Sequence, residues 1–378
     1  MRSPTLDSTM SCCRLPLRAF VLLLSLFVVS AGCTGPSRPR PRVGSLPYPG
    51  FLTLYAVADP QHLGPHQSQR LVALPFTPTE VDRGIMYSRS GGFLDVAHIR
   101  KAIDWNHYVY AQIRDALKDK RPGLVFEGPD LVAYHLTFTY PPDWANGSEA
   151  DQSNAQDLLP IVLSQHITYG MMTWHEVQTW YGYKSGAIFS EQASAFSYDD
   201  AMSHWVGITV AGKVLRDLQR DPLRDFDSSV TETLSATLAS LGATKPDDTH
   251  RIVMSLEGSW WKDGQPLKRQ VHVGLAEGYI RPLLVPAESG PLGDVGQRYP
   301  LPTLDNVNGR SFRSFCRVEL ELRCWEADTI RQRLPGTPEW IDMDRDIPRL
   351  IDDIQSAVDR QNPSPTALTR RTDDSSFP

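Results

Sequence analysis

Three segments of this chain set ionisable residues among apolar ones at helical spacing. The first is Gly91-Gly-Phe-Leu-Asp95-Val-Ala-His98-Ile-Arg100-Lys-Ala-Ile-Asp104-Trp105. Asp95 and His98 are three apart and so share one helix face. A carboxylate beside an imidazole can orient the ring, or both can ligate one metal ion. The plainer alternative is that Asp95 favours the helix N-terminus and His98 is a satisfied core histidine. The second segment is Thr173-Trp174-His175-Glu176-Val-Gln-Thr179-Trp180-Tyr-Gly-Tyr183-Lys184-Ser185. Its His-Glu pair invites comparison with zinc peptidases of the H-E-x-x-H type, and the comparison fails because Thr179 stands at the second histidine position. His175 and Glu176 point about 100° apart on a helix, so they suit different roles, one as ligand and one as base. Their aromatic neighbours equally suit a core helix with a buried polar pair. The third runs from Glu191 to Gly207. There Ser197 and Asp200 have the spacing of a capping box, which leaves Glu191, Asp199 and His204 for other work.

Other signatures are missing. There is no G-x-S-x-G elbow, no phosphate-binding loop and no dinucleotide fingerprint. If the chain is an enzyme, the residues favour metal-assisted hydrolysis of an envelope component. His98, His175 and an acid, Asp95 or Glu191, would then hold a divalent metal such as zinc, Glu176 would be the general base, and Arg100 would bind an anionic group. The competing expectation, set first, is a binding protein for an envelope ligand or protein partner. In that case the clusters serve as buried hydrogen-bond networks.

The elements that must position these residues follow from periodicity. A helix is predicted from near Phe93 to Leu117, a strand over Asp130–Tyr140, and a helix over Leu158–Trp180 with a break near Gly170. A third helix is predicted from Ser197 to about Arg220. Short strands are expected at Phe51–Val57 and Arg70–Pro75. Later ones are expected at Arg251–Leu256, Gln270–Leu275 and Val318–Leu322, with a short helix over Pro348–Val358. The class is α+β, a helix-rich half carrying the polar clusters followed by a strand-rich mixed half. Cys316 and Cys324 are an even pair that could form a disulfide. A single strand between them would hold their ends roughly 26 Å apart, against the roughly 7 Å that a disulfide tolerates, so the strand reading requires both thiols free.

The three segments resemble an uncharacterised bacterial family, domain of unknown function 4056, over roughly residues 80–290. The resemblance rests on Gly92-Phe-Leu-Asp95-Val-Ala-His98-Ile-Arg100, on Trp174-His175-Glu176 with Thr179 to Ser185, and on Glu191 to Gly207. His204 departs from the pattern, where Asn is expected. The resemblance implies that the three blocks form one unit, and it brings no established activity.

The first residues address the chain to the cell envelope. Arg14 and Arg18 precede the eleven uncharged residues Ala19–Val29, then Ser30-Ala31-Gly32 and Cys33. That resembles a signal peptide and lipobox, too short to span a bilayer, with Cys33 as the expected lipidation site. Ser30 stands where a lipobox usually has Leu, and plain cleavage or an uncleaved anchor is the alternative. Thr34, rather than Asp, follows and favours the outer membrane. Residues 34–50, rich in Pro and Arg, read as a tether, residues 51–362 as one globular domain, and residues 363–378 as a disordered tail. Removing Arg2, Arg14, Arg18 and Asp7 with the leader leaves 35 basic and 43 acidic residues. That balance, with no basic run after the tether, argues against nucleic acid as a partner. The expected partner is the membrane, through the lipid anchor.

Overall fold

A computed structural model describes residues 36–50, 55–68, 83–142, 144, 149–185, 189–286, 288 and 297–361. The signal peptide, Cys33, the expected strand at 70–75 and the tail after 363 lie outside these residues.

An antiparallel ribbon of β1 (Ile85–Ser88) and β2 (Gly92–Asp95) leads directly into α1 (Val96–Lys118). The predicted first helix therefore begins three residues late, because Gly92–Asp95 pair with β1. A hairpin of β3 (Gly123–Glu127) and β4 (Val132–Phe138) follows, then α2 (Glu149–Trp180). α2 runs through Gly170 without a break, and at that position the Met343 side chain packs against it. A small ribbon, β5 (Lys184–Ser185) with β6 (Phe189–Ser190), precedes α3 (Asp200–Arg220), α4 (Phe226–Ser240) and α5 (Pro246–Ser255). The two-residue pairs β7 (Trp261–Lys262) with β8 (Gln265–Pro266), and β9 (Tyr279–Ile280) with β10 (Tyr299–Pro300), stitch the loops beyond. β11 (Cys316–Leu322), α6 (Ala327–Arg331), β12 (Ile341–Asp342) and α7 (Met343–Gln361) complete the α+β fold.

The main sheet has the order β12-β11-β4-β3, antiparallel throughout. β11 pairs in full register with β4, from Cys316 opposite Phe138 to Leu322 opposite Val132. It is the continuous strand expected, and Cys316 and Cys324 are both free and buried. The expected strand at 251–256 is instead part of α5. Pro246 at its first position and Asp247 and Asp248 in its first turn are helix-start signals that outweigh the β-branched Ile252 and Val253. Residues 270–274 form no strand; the Gln270 N–H bonds the Phe196 carbonyl.

α1, α2 and α3 pack on one another at the centre. α2 is buried nearly all round between Leu159 and Trp180, as a helix without a polar face must be. α1 and α3 touch backbone to backbone. A Cβ added at Gly207 would lie 2.5 Å from the Ile99 carbonyl oxygen and 2.6 Å from the Ala102 Cβ. This contact brings the N-terminal turns of α1 and α3 side by side. The Asp95 N–H then donates to Ser203 Oγ at 2.7 Å, and that hydroxyl donates to the Asp199 carbonyl at 2.6 Å.

The expected tether is a correction. Residues 36–50 form a strap built into the domain. Arg42 reaches Asp104 (Nε to Oδ2, 2.7 Å) with both side chains almost wholly buried. Arg38 donates to the Gly128 carbonyl at 2.8 Å, and the Tyr48 ring is fully buried against Trp261. Proline and arginine composition looked solvated only because the partners lie far along the chain.

Candidate functional site

Asp95 ends β2 and caps α1. Its carboxylate accepts the N–H groups of Ala97 (2.5 Å) and His98 (3.1 Å), and that of Ser45 from the strap. This satisfies the open first turn of α1 and ties the strap to it. His98 lies one turn on, with Nδ1 3.0 Å from Asp200 Oδ1. The Cβ of any residue but glycine at 44 would sit 2.5 Å from His98 Nε2, so the strap covers the ring at close range.

The expected capping box at Ser197 is not what forms. α3 starts at Asp200, and no side chain caps it. Instead Ser197 Oγ donates to Asp199 Oδ1 (2.6 Å) and Asp200 Oδ2 (3.0 Å). One hydroxyl proton holds two adjacent carboxylates, and both turn inward. Glu176, from α2, accepts the Phe196 N–H at 2.9 Å and bonds Asp200.

Asp95, Asp199, Asp200 and Glu176 are all buried, at 4% exposure or less, around one histidine. Burial pushes each carboxyl upward: Asp95 and Asp199 rise, Asp200 rises well above the usual range, and Glu176 is pushed up to about 8. Their mutual repulsion adds to this, with Asp199 acting on Asp200 and Asp200 on Glu176. Arg269 feels Glu176 and Asp200 but donates to the carbonyls of Gln192, Ala193 and Ala195.

Three inward atoms lack a hydrogen-bond partner: Asp199 Oδ2, Asp200 Oδ1 and His98 Nδ1. The last two form an ion pair at 3.0 Å. Among the described residues, Asp95, His98 and Asp199 form the one group whose ligand atoms all lie within 4.8 Å of one another. Imidazole nitrogen with carboxylate oxygens is a donor set for zinc or manganese.

Of the residues expected to converge, Asp95, His98 and Glu176 do so. His175 is held elsewhere: its Nδ1 pairs with Asp130 Oδ2 at 2.7 Å. Burial works against the charge on Asp130, yet His175 and Lys101 hold that carboxyl down at about 2. Glu191 is not in the convergent group; its backbone N–H bonds the Tyr183 carbonyl. Arg100 is buried and donates to the Leu63 and Gly64 carbonyls at 2.9 Å each, fixing a loop. His204 lies near His98, ring centres 5.5 Å apart and tilted by 42°, and burial with the His98 charge drives it well toward the neutral form. Sequence reasoning named Asp199 only as a leftover and assigned Asp200 to capping. The Asp-Asp doublet after Ser197 was the signal that could have found both.

The three segments thus form one unit, on one strap, within residues 29–274, and the family described as protein of unknown function DUF4056 matches that whole stretch. The chain belongs to this family. The match takes in the strap as well as α1, α2 and α3, so the family's shared region contains every residue of the cluster. No curated protein and no solved structure matches the chain.

Proposed function

We propose that this family member is a lipid-anchored protein of the bacterial cell envelope whose closed site binds a divalent cation. Asp95, His98 and Asp199 would be ligands, with Asp200 and Glu176 beside them. One observation carries the reading: Asp95, His98 and Asp199 bring ligand atoms within 4.8 Å of one another among buried acids, and Asp199 Oδ2 there has no hydrogen-bond partner. Buried carboxylates cannot all ionise together, so they must be protonated or share a cation. Closure by the strap suits a site that retains its ion, since sites that turn over substrate keep a position open. The envelope address rests on the short apolar run and on Ser30-Ala31-Gly32-Cys33.

Elemental analysis of the purified protein tests the site. About one equivalent of zinc or manganese is expected, and Asp199→Asn, a near-isosteric change, should lose it while the protein stays folded. Metal-free wild type whose melting is unmoved by any added divalent cation would refute the reading and leave a protonated carboxyl network in its place. Acylation at Cys33 is read separately, from the mass of the N-terminal peptide.

A second reading, metal-assisted hydrolysis, is favoured by Glu176 alone. A carboxyl pushed up to about 8 changes protonation close to neutral pH, where it can exchange a proton with a bound water. For that chemistry the strap has to lift. Glu176→Gln would abolish hydrolysis with the ion retained.

A further inference from the structure

Large apolar side chains stand in solvent at one corner of the main sheet. Trp325, just past the end of β11, is 89% exposed. Leu131, in the β3–β4 turn, and Val125, on β3, are each 58% exposed. They lie on one sheet, Leu131 beside the chain that leads to Trp325 and Val125 partway along the edge strand. The Arg323 N–H bonds the Leu131 carbonyl at 3.0 Å, which lays the chain leading to Trp325 along the turn, and β3 is an edge strand of the same sheet.

The turn is held rigidly in a costly shape. Asp130 and Leu131 both have positive φ, 63° and 57°, the left-handed region that residues with a Cβ avoid. From inside the protein His175 grips the Asp130 carboxylate, and Gln178 Nε2 donates to the Asp130 carbonyl at 3.1 Å. The His175–Asp130 pair therefore fixes the turn that presents Leu131.

The strap begins at the same corner. Arg38 donates to the Gly128 carbonyl, at the start of this turn, and its guanidinium lies 6.0 Å from the centre of the Trp105 ring. Cys33 is five peptide units before Arg38, a reach of at most about 18 Å. A lipid on Cys33 would thus keep the backbone of Arg38 within about that distance of the anchored residue.

We propose that Val125, Leu131 and Trp325 seat in the headgroup–acyl boundary of the bilayer that holds Cys33, which rests on the lipoprotein reading above. Tryptophan favours that boundary, where its ring is half in hydrocarbon and its N–H is wet. Exposed leucine and valine gain about 25 cal/mol for each Å² removed from water. Three side chains are too few for a stable protein interface, which buries about 800 Å² on each partner, but they suffice as a second attachment beside acyl chains.

The test uses full-length acylated protein in phosphatidylethanolamine–phosphatidylglycerol vesicles with brominated acyl chains, which quench nearby tryptophan. Wild type, with nine tryptophans, is compared with Trp325→Phe, a change at a site exposed enough to leave the fold alone. A bromine-quenched component present in wild type and lost in Trp325→Phe is expected, together with loss of iodide quenching of Trp325 on vesicle binding. Equal bromine quenching of the two proteins overturns the inference while Cys33 acylation, confirmed by mass, stands. An unacylated Cys33 peptide overturns the lipoprotein reading and this inference with it. Protection of Trp325 that grows with protein concentration in the absence of vesicles assigns the patch to self-association and also overturns it.

Discussion

Replacing Gly207 by alanine adds one methyl group where α1 and α3 cross, and neither neighbour can yield. The atom at 2.5 Å is the Ile99 backbone carbonyl oxygen, and the one at 2.6 Å is the Ala102 Cβ, which has no rotamer to change. Ordinary contact begins near 3.4 Å, so the helices must separate by roughly 1 Å. Overpacking of this kind costs about 1–3 kcal/mol, while the helix gains about 1 kcal/mol by losing a glycine. A net loss of up to about 2 kcal/mol is expected, read from urea midpoints in the presence of chelator. The site should suffer more than the fold. α1 carries Asp95 and His98, α3 is led by Asp199, and metal–ligand distances tolerate only about 0.2 Å. Zinc affinity, measured by competition, should fall at least about tenfold. An alanine variant more stable than wild type, as helix propensity alone requires, or one with unchanged zinc affinity, would refute the reasoning.

Without metal, stability should depend on pH through Glu176. Its folded value is raised above the ordinary one, so the folded state holds a proton that the unfolded state releases. The stabilisation is complete below about 4.5 and is lost as pH rises toward 8. At about 1.4 kcal/mol per tenfold change in acidity, the ceiling for this group is about 5 kcal/mol. Glu176→Gln should reduce the slope of the urea midpoint across that window, leaving the part due to Asp95, Asp199 and Asp200, which are raised as well. Both thiols should be unreactive in native protein and both should alkylate after denaturation without reductant, since burial pushes Cys316 up and Cys324 up to about 12. A Cys316–Cys324 disulfide on mass analysis would disprove the register of β11.

The helices and β11 were legible because their partners are local or periodic. Asp95 and His98 were legible as a pair for the same reason, being three apart at a helix start. The rest depended on long-range pairing. His175 and Glu176 are adjacent in sequence yet face Asp130 and Asp200 respectively, and no spacing within 173–185 distinguishes the two directions. Ser197 and Asp200 fit a local capping pattern so well that their tertiary role was hidden: the hydroxyl donates to carboxylates where a cap would accept from an amide. The strap misled for a plainer reason. Arginine reads as solvated until its acceptors are known, and those of Arg42 and Arg38 lie 62 and 90 residues away.

The strap also sets an order of events. It is synthesised first, but its receptors come much later: Asp95 is 50 residues beyond Ser45, and Tyr198, which donates to the Pro47 carbonyl, is 151 beyond it. Such distant contacts form late, after the loop entropy has been met by α1, α2 and α3. If the site holds an ion as proposed, the ion enters and leaves only while the strap is undocked. Its residence time is then governed by local unfolding of residues 42–48 rather than by the strength of the ligand bonds. Metal exchange should therefore be slow and should track amide exchange in the strap.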